Sequence, residues 1–169
     1  MLPDGTRLGV RSLEREDKDE LGEGIAHLSE KSRYLRFFSP VKGLSAGQLT
    51  YLTTLDHDRH EALVAIEPAT DGGVAVARYV VTDDRPRTAE IAVTVNDAWQ
   101  GRGVGTALLR RLADYARARG VRRFTALILA ENTAMLKLAE SLGAVISREL
   151  DGDTVCVVID LEANGGAEA

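Results

Sequence analysis

The chain is poor in the side chains that most often announce a chemistry. In 169 residues it holds one cysteine, two methionines and three histidines. A single thiol, Cys156, excludes an intrachain disulfide and fits a reducing cytosol. It stands in the apolar run Val155–Ile159, reads as a buried strand residue, and has no base beside it to make it a nucleophile. The string Asp56-His57-Asp58-Arg59-His60 has the letters of a metal cluster. A four-ligand site needs compact geometry that so short a spacing does not ensure, and a solvated turn explains the aspartates equally well. No metal is expected. His27 falls near the apolar stripe of a helix and reads as structural. Ser32, Ser39 and Ser141 have no base at a defined spacing, so a serine triad is unsupported.

Long hydrophobic runs are also missing. None approaches the roughly 18 residues that a membrane span needs, and Met1-Leu2-Pro3-Asp4-Gly5 does not open a signal peptide. A cytoplasmic protein is expected. Positive charge is in deficit, 21 Lys and Arg against 26 Asp and Glu, which argues against a nucleic-acid partner. Two familiar phosphate loops are absent. No Gly-Lys pair exists for a Walker A loop, and Gly101-x-Gly103-x-Gly105 lacks the x-x spacing of the dinucleotide fingerprint. No linker, internal repeat or low-complexity block divides the chain. With 44% hydrophobic residues it can bury a core. One domain over residues 1–161 is expected, followed by a small polar tail, 162–169, that frays.

What is present concentrates in the middle. Hydrophobic alternation predicts strands at 6–13, 61–66, 74–81, 88–95 and 122–129, and a closing hairpin of 144–150 with 154–161. Helical periodicity and caps predict helices at about 16–28, 30–38, 46–55, 106–119 and 133–142, the last capped by Asn132. The fold class is α+β, a mixed sheet with helices on both faces. The run Gln100-Gly101-Arg102-Gly103-Val104-Gly105 joins the strand 88–95 to the longest helix. Strand, glycine turn and helix make an anion cradle, because the first helical amides lack partners and the helix dipole favours negative charge. A tight turn whose glycines only relieve crowding is the plainer alternative. The basic residues Arg110, Arg111, Arg117, Arg119, Arg122 and Arg123 either support a polyphosphate or simply solvate that helix; Arg102 lies inside the turn itself. Glu90 lies near the start of the strand that feeds the turn and shares a face with Ala92 and Thr94. Buried in a cleft it would have a raised pKa and serve as general base. Exposed, it would merely counter Arg87 or Arg78.

Gln100-x-x-Gly103-x-Gly105, together with Asn132 through Gly143, resembles the acetyl-CoA motifs of the GCN5-related N-acetyltransferase (GNAT) family. Leu28–Phe38, Leu52–Asp56 and Glu61–Ala65 further resemble the acetyltransferase domain of bacterial Pat-type protein lysine acetyltransferases, in which that domain can be joined to a regulatory domain or a synthetase-like region. By the same resemblance the chain is a bare catalytic module or a stand-alone relative. The resemblance implies a GNAT fold and acetyl-CoA as co-substrate. The pantetheine arm would pair with the backbone of Val93, Thr94 and Val95. The pyrophosphate would take the amides of Arg102, Gly103, Val104, Gly105 and Thr106 in the turn opened by Gln100 and Gly101. Asn132 and Met135 would contact the arm, and Glu90 would be the general base. The implied acceptor is a protein lysine, for example on an acyl-CoA synthetase. A small-molecule amine is the alternative acceptor, and a non-catalytic acyl-CoA sensor the alternative class. Many members carry a tyrosine acid where this chain has Ala139, and an aromatic where it has Ala144. Tyr34 or Tyr79 are the substitutes to consider, or water. The sequence leaves monomer and dimer open.

Overall fold

A computed structural model describes residues 1–162; of the expected tail at 162–169, all but Glu162 lies outside the described residues. Seven strands form one sheet in the order β1-β2-β3-β4-β5-β7-β6. The strands are β1 (Gly9–Ser12), β2 (His60–Glu67), β3 (Gly72–Val81), β4 (Thr88–Val95), β5 (Arg123–Leu129), β6 (Ala144–Asp151) and β7 (Thr154–Asp160). Every neighbouring pair is antiparallel except β4 with β5. The helices are α1 (Lys18–Ala26), α2 (Glu30–Phe37), α3 (Ala46–Thr53), α4 (Val104–Ala118) and α5 (Thr133–Glu140). Element order follows the sequence expectation throughout, with no end shifted by more than three residues. The first strand and the first helix are the shortest relative to their expected spans.

The two faces of the sheet are built differently. Against one face lie α4 and α5, and here alternate strand residues form the main core: Ala77 and Tyr79 of β3, Ala89 and Ile91 of β4, Phe124 and Ile128 of β5, Val157 and Ile159 of β7. Leu108, Leu109, Leu112 and Ala116 recur at helical spacing on α4 and close that core. On the opposite face a smaller cluster of Leu13, Ala62 and Val64 packs with Leu21 and Leu55 beneath α1 and α3. The expectation of helices on both faces therefore holds for the β1–β4 half. Over β5, β7 and β6 that second face is open, leaving Leu127 48% exposed. Cys156 pairs with Leu127 across the ladder and is half-buried on this open face, because it falls on the off-beat of the core residues Val155 and Val157. The expected burial of Cys156 is corrected accordingly.

One irregularity in the sheet positions everything that follows. β4 keeps its partner β3 from Ala89 to Val95, and β5 keeps its partner β7 from Arg123 to Leu129. Between them β4 and β5 pair only at Thr88–Arg123, Ala89–Phe124 and Glu90–Thr125. Each strand follows the twist of its own antiparallel partner, so the two diverge after Glu90. The edge of β4 from Ile91 to Val95 then faces a gap instead of a neighbour strand.

Candidate active site

The gap opens into a cleft of about 780 Å³ lined by Glu90 through Val95, the glycine turn, Ile128, Asn132, Met135 and one flank of α2. This volume suits a sizeable organic ligand. The unpaired edge of β4 offers main-chain donors and acceptors at strand spacing, a template for an extended chain.

At the far end of β4 the chain enters a short 3-10 turn (Asp97–Trp99), then the glycine turn and α4. The main-chain amides from Gly101 to Thr106 donate to no protein acceptor among the described residues; the first helical bond is Ala107 N to Gly103 O at 3.0 Å. A free row of amides at the N-terminus of a 15-residue helix is an anion site by construction. Gly101 and Gly103 hold φ of 74° and 83°, a left-handed geometry that costs other residues about 1–2 kcal/mol. A Cβ on Gly103 would meet Pro3 Cδ at 3.3 Å, not the cleft. A Cβ on Gly105 would come 2.9 Å from Leu138 Cδ1 and 3.4 Å from Val95 Cγ2. Gly105 thus lets α4 seat against α5 and β4. The turn needs its glycines for backbone geometry and packing, as well as for access to its amides.

Two site expectations change in detail. The Arg102 side chain does not line the cleft. It lies over the Trp99 ring at 4.1 Å and bonds Asp4 Oδ2 and Thr6 Oγ1, both at 2.9 Å. Hydrogen bonds from the Thr6 hydroxyl and amide first, and then from Arg102, hold the Asp4 carboxyl down at about 2. The N-terminal segment is thereby hooked behind the turn, with Leu2 buried. The Gln100 amide group donates to Val95 O at 3.0 Å and to Ser32 Oγ at 3.1 Å. Ser29 N and the hydroxyls of Ser29 and Ser32 donate to Asp97. Burial raises the Asp97 carboxyl, but those hydrogen bonds outweigh it and hold the group below its usual value. Gln100, Ser29, Ser32 and Asp97 make a latch that ties the start of α2 to the end of β4. This network joins residues 68 apart in sequence, and no local pattern foretold it.

Glu90 lies at the cleft wall, on the face of β4 with Ala92 and Thr94. It is exposed rather than buried, since β5 leaves β4 at this very residue. It does not counter Arg78 either. Arg78 is buried, donates to Leu52 O at 3.1 Å and lies 3.1 Å from His60 Nε2. Burial, and then the charge of Arg36, pull the Arg78 guanidinium down to about 10. Arg36, on α2, also lines the cleft; burial lowers its guanidinium while the Glu90 charge opposes that shift.

Asn132 caps α5, accepting from Met135 N at 3.2 Å, and both residues line the cleft with Ala134, Lys137 and Ser141. Ala139, at the position of the family's tyrosine, is fully buried in the core. Neither substitute lines the cleft. Tyr79 is buried on the α4 face, donates to Asp58 O at 2.8 Å, and is pushed up to about 12 by burial. Tyr34 stands on α2 outside the lining. None of Arg110, Arg111, Arg117, Arg119, Arg122 or Arg123 lines the cleft. They sit on or beyond the body of α4, and Arg117 and Arg119 bond Leu161 O and His57 O. The polyphosphate reading of that cluster is set aside.

The structure gives the histidines other partners. Asp56 accepts the amides of Asp58, Arg59 and His60 in a capped turn, and no metal-competent cluster exists among the described residues. His57 contacts the buried Glu61 at 3.0 Å. His27 is exposed at the end of α1, which corrects its expected place near the core. No described helix is long and apolar enough to cross a membrane.

Comparison with known proteins gives this fold a family. The model of the acetyltransferase (GNAT) family matches residues 30–144. The chain belongs to this family. Acetyltransferase PA5475 of Pseudomonas aeruginosa is 34% identical over 155 residues, 90% of this chain and 83% of that protein. Acetyltransferase Pat of Mycolicibacterium smegmatis is 38% identical over 133 residues, 79% of this chain but 40% of Pat. The GNAT domain of S. lividans PAT superimposes with a TM-score of 0.85 at 32% identity, covering 95% of this chain and 94% of that domain. This GNAT protein is an acetyl-CoA-dependent N-acetyltransferase, with acetyl-CoA as its co-substrate.

Proposed function

We propose that this acetyltransferase moves the acetyl group directly to a primary amine, a protein lysine first among the candidates, with Glu90 as general base. The observation that carries the reading is the fork between β4 and β5. It leaves the β4 backbone free along one edge and sets Glu90 at its apex. On this reading the pantetheine arm lies along Val93–Val95 and the pyrophosphate takes the amides of residues 102–106, with Asn132 and Met135 against the arm. A neutral amine attacks the thioester carbonyl. The C–N bond forms as the C–S bond breaks. Main-chain amides of β4 stabilise the oxyanion. Glu90, through a water, removes the proton of the attacking nitrogen. The thiolate leaves and takes its proton from water, because no tyrosine lines the cleft. No acyl-enzyme forms, since Cys156 is on the open sheet face and not in the cleft.

The lysine acceptor rests on similarity to Pat over 79% of this chain. A small amine is the second reading. It is favoured by a shorter match, 40% identity over 63 residues, to the L-methionine sulfoximine/L-methionine sulfone acetyltransferase of Salmonella typhimurium. The test is labelled acetyl-CoA with a cell lysate split by a size filter. Label in the retained protein is expected, mapping to lysine on digestion. Label confined to the filtrate would reject the protein acceptor. Binding of acetyl-CoA with no transfer in either fraction would point to a sensor.

A further inference from the structure

The acceptor side of the cleft holds more positive charge than the transfer itself requires. Arg36 lines the cleft beside Glu90 and also borders the narrow apolar recess that leads to Arg78, Ala92 and Thr94. Its guanidinium stacks near Phe37, 4.9 Å from the ring centroid. That contact uses the face of the group and leaves its N–H donors free. No hydrogen bond or ion pair from the described residues reaches it; Glu90 acts on it only through charge. Arg78, the second guanidinium, is spent on Leu52 O and the His60 ring. No carboxylate neutralises it. Two cations and one carboxylate therefore share a half-enclosed corner. Arg36 is half-buried, and no side-chain nitrogen among the described residues is buried without a partner, so its free donors open onto the cleft, where a ligand can meet them.

We propose that Arg36 forms a carboxylate subsite on the acceptor side, so that the preferred substrate is an amine with a carboxylate within a side chain's reach. This rests on the proposed transfer to an amine and specifies it further. A planar guanidinium with free donors matches a carboxylate in a two-pronged geometry. The nearby cations also disfavour the ammonium form of the acceptor, so more of it is neutral and able to attack. The carboxylate has two sources: an acidic residue flanking a substrate lysine, or the α-carboxylate of a free amino acid. The shared chemistry is a carboxylate placed by Arg36 while Glu90 faces the nitrogen.

The test compares rates on matched probes. One pair is a lysine peptide with Glu beside the lysine and the same peptide with Gln there. The other pair is a panel of free amino acids and their carboxamides. Wild type should prefer the carboxylate member of one pair by about 10- to 100-fold in kcat/KM, the worth of a charged hydrogen bond. In Arg36→Gln the ratio should collapse toward one, and Arg36→Lys should restore part of it. Preference in the peptide pair assigns the source to a protein; preference in the amino-acid pair assigns it to a small molecule. A wild-type ratio near one, or an equal fall for both members in Arg36→Gln, overturns the subsite and leaves amine transfer standing. If wild type acetylates none of the probes, the transfer reading fails for them. Calorimetry of the same probes with the CoA-loaded protein then decides the subsite. Tighter binding of the carboxylate probes, lost in Arg36→Gln, supports it, and equal binding overturns it. A strong preference for succinyl-CoA over acetyl-CoA that Arg36→Gln abolishes would move the carboxylate to the donor and reject the acceptor assignment.

Discussion

The two sides of β4 solve different problems by different means. On the proposed donor side, the free edge of residues 91–95 and the amides of residues 101–106 present backbone to the cleft. Side chains there mostly hold the backbone in place: Arg102 to Asp4, Gln100 to Val95. On the proposed acceptor side the groups facing the cleft are side chains, Glu90 of β4, Arg36 of α2 and Phe38 just after it. A ligand read by backbone can be shared by a whole family. A ligand read by side chains can change with a few substitutions.

The sharpest way to break the comparison is at Glu90. Glu90→Gln should lower kcat by roughly 10²–10⁴, the usual worth of a general base, and leave acetyl-CoA affinity within a few-fold. Stopped-flow turnover and calorimetric titration measure the two separately. Equal losses in both would mean that Glu90 supports the donor side, and unchanged turnover would make it an ordinary strand residue.

The donor side is next. Replacing Gly103 tests what its turn requires. Because its Cβ would face Pro3, the penalty comes from the positive φ and not from a blocked phosphate. Gly103→Val should weaken acetyl-CoA binding by about tenfold, matching about 1–2 kcal/mol of left-handed strain. Gly103→Asn should retain most of the affinity, since asparagine tolerates that conformation. If Asn and Val weaken binding alike, a side chain there does obstruct the ligand.

The same contrast explains how much could be read in advance. The order of strands and helices was legible because alternation, helical periodicity and the cap at Asn132 are all local. The glycine turn was legible for the same reason. The fork was not: it arises because β4 and β5 each follow a different antiparallel partner, and a strand's own letters do not reveal where its neighbour leaves. The exposure of Glu90 follows from the fork, and the sequence left it open between a buried and an exposed position. The Asp4–Arg102 hook and the Ser32–Asp97 latch span 98 and 65 residues, beyond any periodic signal. Arg36 sits in an unremarkable polar helix, and its meaning depends on the cations and carboxylate that folding sets around it.

The hook should give a smaller effect. Asp4→Asn loses an exposed ion pair but keeps the segment's buried Leu2. Acetyl-CoA affinity should fall by no more than about fivefold, the upper range for surface pairs, and less at high salt. The carboxyl titrates at about 2, below its ordinary 3.8. Its contribution is therefore complete above about pH 4 and is lost only as the pH falls through 2. A larger loss, insensitive to salt, would show that the hook shapes the glycine turn directly.

The smallest expected effect lies on the acceptor side, at His60. This ring is buried, 3.1 Å from Arg78 Nη1 and 5.3 Å between centroids from Tyr51. Burial first, then the charge of Arg78, lower its pKa below the ordinary 6.5, against the opposing charges of Asp56 and Glu61. The neutral ring accepts from Arg78, so protonation breaks a contact that anchors α3 through Leu52. The sign follows from proton counts. Below pH 6.5 the unfolded chain binds a proton that the folded chain still refuses, so stability falls as the pH drops from there toward the lowered folded value. Above 6.5 the contribution is complete. Thermal melts between about pH 8 and pH 5 should show a decline that His60→Gln flattens, because glutamine can accept from Arg78 without titrating. An identical slope in the variant would assign the decline to other groups. A slope reversed in wild type would mean that His60 is charged in the folded protein, leaving Arg78 unpaired and free to join Arg36 in facing the acceptor.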